Sequence, residues 1–265
     1  CHLAKNEYLN EENRMKKTLV SLAAASLIAS TAMAADKGID ITTTGQAVVY
    51  YETHSSDAAG DKGLFDQDNS VANVGVQLNL DADLGNNFTF GSQLSYLGAA
   101  GLEKNLVGNV KQSAGSAVNG ATTDELALTK IFVAKKVGNT TVKLGRQELP
   151  KSLSPLAFSE GWNVLKNTFD AVLAVNSDIP DTTLVGAYVS GGTGHTLGST
   201  SDLTAAGQDV TGGAYMLTAQ NKSIPMTTVT ASYYHLTQID VDVDANASTD
   251  NSAGNSADAI WVDAQ

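Results

Sequence analysis

From Val74 to Leu84 the chain alternates without a break. Val74, Val76, Leu78, Leu80, Ala82 and Leu84 are apolar, and Gly75, Gln77, Asn79, Asp81 and Asp83 lie between them. After Gly85-Asn86-Asn87 the pattern resumes, with Phe88, Phe90, Leu94 and Tyr96 set against Thr89, Gly91, Gln93 and Ser95. Successive side chains of a strand point to opposite faces, so this hairpin has one apolar face and one polar face that carries carboxylates. Each arm has about 10 residues, which suits a tilted strand crossing about 25–30 Å of hydrocarbon. A soluble sheet would turn the apolar face to a core; an outer-membrane barrel would turn it to lipid.

The same reading predicts ten strands, at about 45–53, 71–84, 88–97, 125–136, 141–148, 169–176, 182–190, 212–220, 227–238 and 259–265. Their connections alternate in length. Long ones cover 54–70, 98–124, 149–168, 191–211 and 239–258, and short ones cover 85–87, 137–140, 177–181 and 221–226. Gly, Asn, Asp and Pro mark the short ones because tight turns need a positive or a fixed φ. A sandwich has no reason to gather its long loops at one end, whereas outer-membrane barrels do so as a rule. The expectation is all-β: an antiparallel up-and-down transmembrane barrel with its N-terminus on the short-turn, periplasmic side. Val76, Leu78, Leu80, Phe88, Phe90 and Leu94 should lie on the outer face, and residues 18–34 should be helical or detached.

The start of the chain fits export. Met15-Lys16-Lys17 is basic, Thr18 to Ser30 is apolar and Ala-rich, and Ala32-Met33-Ala34 is an A-x-A cleavage site. We divide the chain into an upstream extension (1–14), a signal peptide (15–34) and a barrel portion (35–265). The only cysteine, Cys1, precedes the export signal, so the exported part has no disulfide or thiolate metal framework. An apolar content of 42%, 6% aromatics and a mean hydropathy of −0.09 fit strands that are half polar, and not a bundle of apolar helices. The net charge is −12 and becomes −13 once residues 1–34 are removed. Such a chain has no means of neutralising phosphates, which argues against nucleic acid as a partner.

Catalytic and cofactor signals are weak. There is no G-x-S-x-G elbow, and His54, His195 and His235 stand without H-E-x-x-H or C-x-x-C company. Gly191-Gly192-Thr193-Gly194 lacks the Gly-Lys-Ser/Thr ending of a phosphate loop. Asp240, Asp242 and Asp244 resemble the start of a calcium loop, but Ala245 and Asn251 occupy its sixth and twelfth positions. The expectation is no enzyme and no cofactor, beyond divalent cations loosely held by acidic outer loops.

The connection 149–168 differs from the others. It carries Leu149, Leu153, Leu156, Phe158, Trp162, Val164 and Leu165, poor choices for a loop in water. From Val142 to Val189, and most clearly in Leu144-Gly145-Arg146-Gln147 and Asn167-Thr168-Phe169-Asp170-Ala171, the chain resembles campylobacterial outer-membrane porins of the OprD-like kind. The resemblance extends more weakly along the rest of the chain. It implies a passive channel for small hydrophilic solutes or ions in the outer membrane of a Gram-negative bacterium. It also implies an infolded third outer loop with a constriction of opposed charges, and apolar side chains of 149–168 such as Phe158 and Trp162 should then pack against the inner wall. Outer-membrane lipid and the solutes are the expected partners, with a homotrimer as a candidate assembly. It implies about 16–18 strands in all, of which this chain would supply the first nine or ten. The alternative is a non-conducting surface barrel acting as a structural protein or adhesin.

For the constriction, strict alternation on the fifth strand puts Val142 and Leu144 on one face and Lys143 on the other. Arg146 would then face lipid, or snorkel at the rim, unless Gly145 forms a bulge that re-aims it inward; we take the bulge. Lys130 on the fourth strand would line the same wall. Glu148 at the base of 149–168, and Lys151, Glu160 and Lys166 within it, complete the charged set. Asp81 and Asp83 alternate away from the apolar residues and should face the lumen near its periplasmic end.

Overall fold

The computed structural model describes residues 20–23, 29–33, 39–55, 62–102, 105–113, 124–198, 201–205, 208–240 and 254–265. Residues 1–14, all of 241–253 and part of 98–124 lie outside the described residues, and with them Cys1, Asp242 and Asp244.

The described strands are β1 (Val20–Ala23), β2 (Ala29–Met33), β3 (Asp40–Thr53), β4 (Ser70–Gly85), β5 (Phe88–Gly98), β6 (Glu125–Val137) and β7 (Thr140–Gln147). They continue with β8 (Phe169–Asn176), β9 (Thr182–Gly192), β10 (Leu203–Ala205), β11 (Gln208–Val210), β12 (Ala214–Asn221), β13 (Val229–Asp240) and β14 (Asn255–Ala264). All belong to one antiparallel sheet. From β3 to β9, and on through β12, β13 and β14, each long strand pairs with its neighbour in the chain. The sheet is open, with β1 and β2 at one edge and β14 at the other. Each of the ten strands predicted from alternation is present. The small β10–β11 hairpin inside the long 191–211 connection was not foreseen, because its strands are three residues each, too short to show a period.

The two faces differ as the alternation requires. Val76, Leu78, Phe88 and Leu94 are exposed, and Leu80 and Phe90 half-exposed, on the face we call outer. Their neighbours Gln77, Gln93 and Ser95 are buried on the inner face, over which the long connections lie. Inner apolar residues form two clusters. One holds Leu149, Phe169, Leu173, Val185, Val189, Met216 and Tyr234; the other holds Val48, Leu97, Leu165 and Leu197.

One expectation fails. Residues 20–23 and 29–33, the described part of 18–34, are neither helical nor detached, because β1 pairs with Tyr50–Thr53 and β2 with Ile41–Gly45 along the same edge of β3. A bare edge strand exposes a row of unpaired N–H and C=O groups, and β1 and β2 pair with part of that row.

Candidate pore-lining site

The inner wall across β3 to β6 is a ladder of amides and hydroxyls. Gln77 donates to Gln93 Oε1 (3.0 Å) and Ser95 Oγ (3.1 Å), and Gln93 donates to Asn79 Oδ1 (2.7 Å). Thr129 hydrogen-bonds Ser95 (2.6 Å) and Gln93 Oε1 (2.8 Å), and Gln46 donates to Gln77. Residues 105–113 lie on this wall: Asn73 Oδ1 accepts from the Lys111 and Gln112 N–H groups, and Lys111 Nζ reaches Glu52 at 3.1 Å. Neither the ladder nor the Lys111–Glu52 pair was among the expected site residues. The signal for the ladder was available, since Gln77, Asn79, Gln93 and Ser95 are the polar half of the opening alternation.

The segment 149–168 crosses the inner face from one cluster to the other. Leu149 is buried against β8, β9, β12 and β13, and Leu165 against β3 and β5. Ser152 O accepts from Gln220 (3.1 Å), Leu156 N–H donates to Tyr234 Oη (3.2 Å), and Leu165 N–H donates to Gln112 Oε1 (2.8 Å). Its anchors are not those expected. Trp162 is 59% exposed, its ring centroid lies 4.9 Å from that of His195, and its indole N–H donates to Glu160. Phe158 is half-buried and lines the cavity described below, while the indole stays at the surface.

The charged residues fall into separate groups. Lys130 Nζ lies 2.8 Å from Glu148 Oε1 and Lys166 Nζ 3.4 Å from Glu148 Oε2, so one carboxylate bridges two ammonium groups. Burial alone would raise the Glu148 pKa, but these two lysines outweigh it and hold the carboxyl below its ordinary value. Lys143 is on the same face, its Nζ 3.6 Å from the Phe132 ring centroid. Asp81 and Asp83 share the Gln77 face by register and are exposed, and Asp83 Oδ1 accepts from the Gly85 N–H at the turn (2.8 Å). Lys151 stands apart, 4.9 Å from the Phe158 ring centroid, beside Gln220, Thr230 and Asp263. Glu160 lies 3.8 Å from His195 and lines a cavity of about 700 Å³ between 156–169, 192–204 and the β12–β14 wall.

Arg146 is the correction. The β6–β7 and β7–β8 registers run through Gly145 without a shift, so Gly145 forms no bulge and Arg146 stays on the outer face with Val142 and Leu144. Gly145 instead takes φ +121°, with the space for a Cβ filled by Ile131 O. The Arg146 guanidinium pairs with Asp170 through Nε (2.9 Å) and Nη2 (3.2 Å) and donates from Nη1 to Gly198 O (3.3 Å). The register shift lies one strand earlier, where Lys130 pairs with Gln93 and Leu128 with Leu94, leaving Thr129 as the extra residue. That bulge puts Thr129 and Lys130 on the inner face together.

One twist-paired antiparallel sheet, apolar outside and polar under its loops, is the wall of a porin-like β-barrel. No family model and no curated protein matches the sequence. Among solved structures the chain is similar to OccK8 (OprE) of Pseudomonas aeruginosa, with a TM-score of 0.55 and 16% identity over 76% of this chain and 47% of that one. The chain thus spans about half the length of OccK8. The likeness is one of fold.

Proposed function

We propose that the whole protein is a passive outer-membrane channel for small hydrophilic solutes or ions, exported by residues 15–34. In this reading residues 149–168 narrow the pore beside Lys130, Glu148, Lys166 and Lys143. The observation that carries it is the course of 149–168 over the inner face, held at both ends by a buried leucine. The Gln/Ser/Thr ladder supports it too, since a wetted wall needs side chains that exchange hydrogen bonds with water while the outer face meets lipid. Likeness of fold to OccK8 supports the same class. Three ammonium groups and one carboxylate in a confined passage raise the local concentration of anions, which sets a preference for them. Conduction by this route needs neither a cofactor nor an energy source.

The full-length protein reconstituted in a planar bilayer tests this. Stepwise, ohmic conductance with a reversal potential on the anion side of zero in a salt gradient is expected. A folded barrel that neither conducts nor passes small solutes from liposomes would instead favour a structural or adhesive role.

A further inference from the structure

The two halves of the sheet build their outer apolar band differently. On β6 the outward Lys135, opposite Phe88, interrupts the run, but on β4 the outward residues continue without a charge from Leu84 through Ala82, Leu80, Leu78 and Val76 to Val74. That is about 35 Å of strand, which at a tilt near 40° spans about 27 Å along the barrel axis, enough for a band about 25 Å tall. On β12 the outward residues are only Asn221, Ala219, Leu217 and Tyr215, about 20 Å of strand and about 15 Å along the axis. On β7 the run likewise stops at Arg146, and on β14 at Asp258.

Polar groups close the short band at its long-loop end. Arg146 pairs with Asp170 at 2.9 Å, and Asp258 Oδ1 accepts from Tyr233 Oη (2.6 Å) and lies 2.8 Å from His235 Nδ1. Tyr188 and Tyr215 lie beside them with ring centroids 5.0 Å apart.

The short turns differ as well. Beside the long run of β4 the connection is Gly85-Asn86-Asn87, and between β6 and β7 it is Gly138-Asn139. Beside the short runs of β8, β9, β12 and β13 the turns carry Ile179-Pro180 and Ile224-Pro225-Met226. Ile179 and Ile224 are about half exposed, at 51% and 52%, and Met226 is fully so. The two Ile-Pro turns are built alike. Thr182 N–H donates to Ile179 O and Thr227 N–H to Ile224 O, both at 3.1 Å, and Asp181 and Met226 both take positive φ. Lys222 N–H donates to Asp181 O (2.8 Å), which ties the two turns together, with Asp178, Asp181 and Lys222 exposed beside the apolar residues. A turn standing in water gains nothing from three exposed apolar side chains.

We infer that Ile179, Ile224 and Met226 of the β8–β9 and β12–β13 turns dip into membrane lipid and complete the short band from below, while Asp178, Asp181 and Lys222 stay at the headgroup level. Arg146–Asp170 and Tyr233–Asp258–His235 then lie at the headgroup level of the opposite leaflet, where an outward charge costs far less than at the midplane. The partner is the bilayer itself, and the inference rests on the barrel reading proposed above.

Nitroxide labels on the full-length protein in phospholipid vesicles test it, in a background with Cys1→Ser. Single cysteines would replace Met226, Ile224, Val142 (mid-band) and Asn86 (polar turn). Each label is read by its collision ratio with oxygen, which partitions into hydrocarbon, against a water-soluble nickel chelate. Met226→Cys and Ile224→Cys should match Val142→Cys on the oxygen side, with Asn86→Cys on the nickel side. If Met226→Cys and Ile224→Cys instead match Asn86→Cys, the turns stand in water and the inference is wrong. Nickel access at Val142→Cys as well would overturn the barrel reading itself.

Discussion

Arg146 shows what a single residue can hide. Alternation placed it outward, and only a supposed bulge at Gly145 brought it to the pore, whereas the shift lies at Thr129 and delivers Lys130 instead. Residues 125–137 carry the mark of that shift, since the alternation of Leu126 and Leu128 resumes one residue out of phase at Ile131 and Val133. The roles separate experimentally. Lys130→Ala should move the reversal potential of the full-length channel toward cations, while Arg146→Ala leaves it in place. Arg146→Ala should still destabilise the fold by about 1–3 kcal/mol in denaturant titration, since it strands the Asp170 carboxylate on an apolar face. A shift in selectivity from Arg146→Ala, with none from Lys130→Ala, would put the constriction elsewhere. Glu148 supplies a pH test. Its carboxyl is held below the ordinary glutamate value of 4.5, so the stabilisation it gives is complete above that value. It is lost as the pH falls further, through the folded pKa, when the carboxyl protonates and releases Lys130 and Lys166. Glu148→Gln should remove that part of the acid limb, seen as a flatter dependence of the unfolding midpoint below pH 4.5.

At the scale of elements, the period of two carried nearly all of the information. Ten strands could be read because an apolar outer face and a polar inner face repeat through every crossing, and the turns announce themselves by Gly, Asn and Pro. What alternation cannot show is which surface a long connection meets. The apolar content of 149–168 marked it as covered, yet the choice of Leu149 and Leu165 over Phe158 and Trp162 as anchors depends on cavities assembled from distant strands. Replacing both leucines by Ala should loosen the segment. Large-to-small changes at buried sites cost about 2–5 kcal/mol each, so the loop should leave the wall before the sheet unfolds. Single-channel conductance should rise, with larger current noise, while the heat-modified mobility of the folded barrel persists. An unchanged conductance would mean that 149–168 does not narrow the path. Gly91 offers a second check, because a Cβ there would lie 2.2 Å from Cζ of Phe132. Gly91→Ala should push that ring aside, free Lys143 from it and alter the single-channel current.

For the whole molecule the open sheet is the governing fact. In the porin reading every backbone N–H and C=O in lipid must be paired, so both edges of this sheet would need partners. β14 offers one edge, and β3 carries β1 and β2 on the other. Those two strands belong to the segment read as a signal peptide, and they occupy β3 from Ile41 to Gly45 and from Tyr50 to Thr53. In the porin reading, cleavage after Ala34 would strip that edge and leave β3 free to meet the last strand of the closed barrel. The segment would then act as a temporary cover for an aggregation-prone edge before export. Refolding the full-length protein from two starting points, Met15 and Ala35, checks this. The chain starting at Ala35 should give the heat-modifiable gel shift of a closed barrel and conduct in bilayers. The chain starting at Met15 should fold more slowly and conduct poorly, because its own N-terminal strands compete for the closing edge. Equal folding and conductance from both would show that β1 and β2 never block closure.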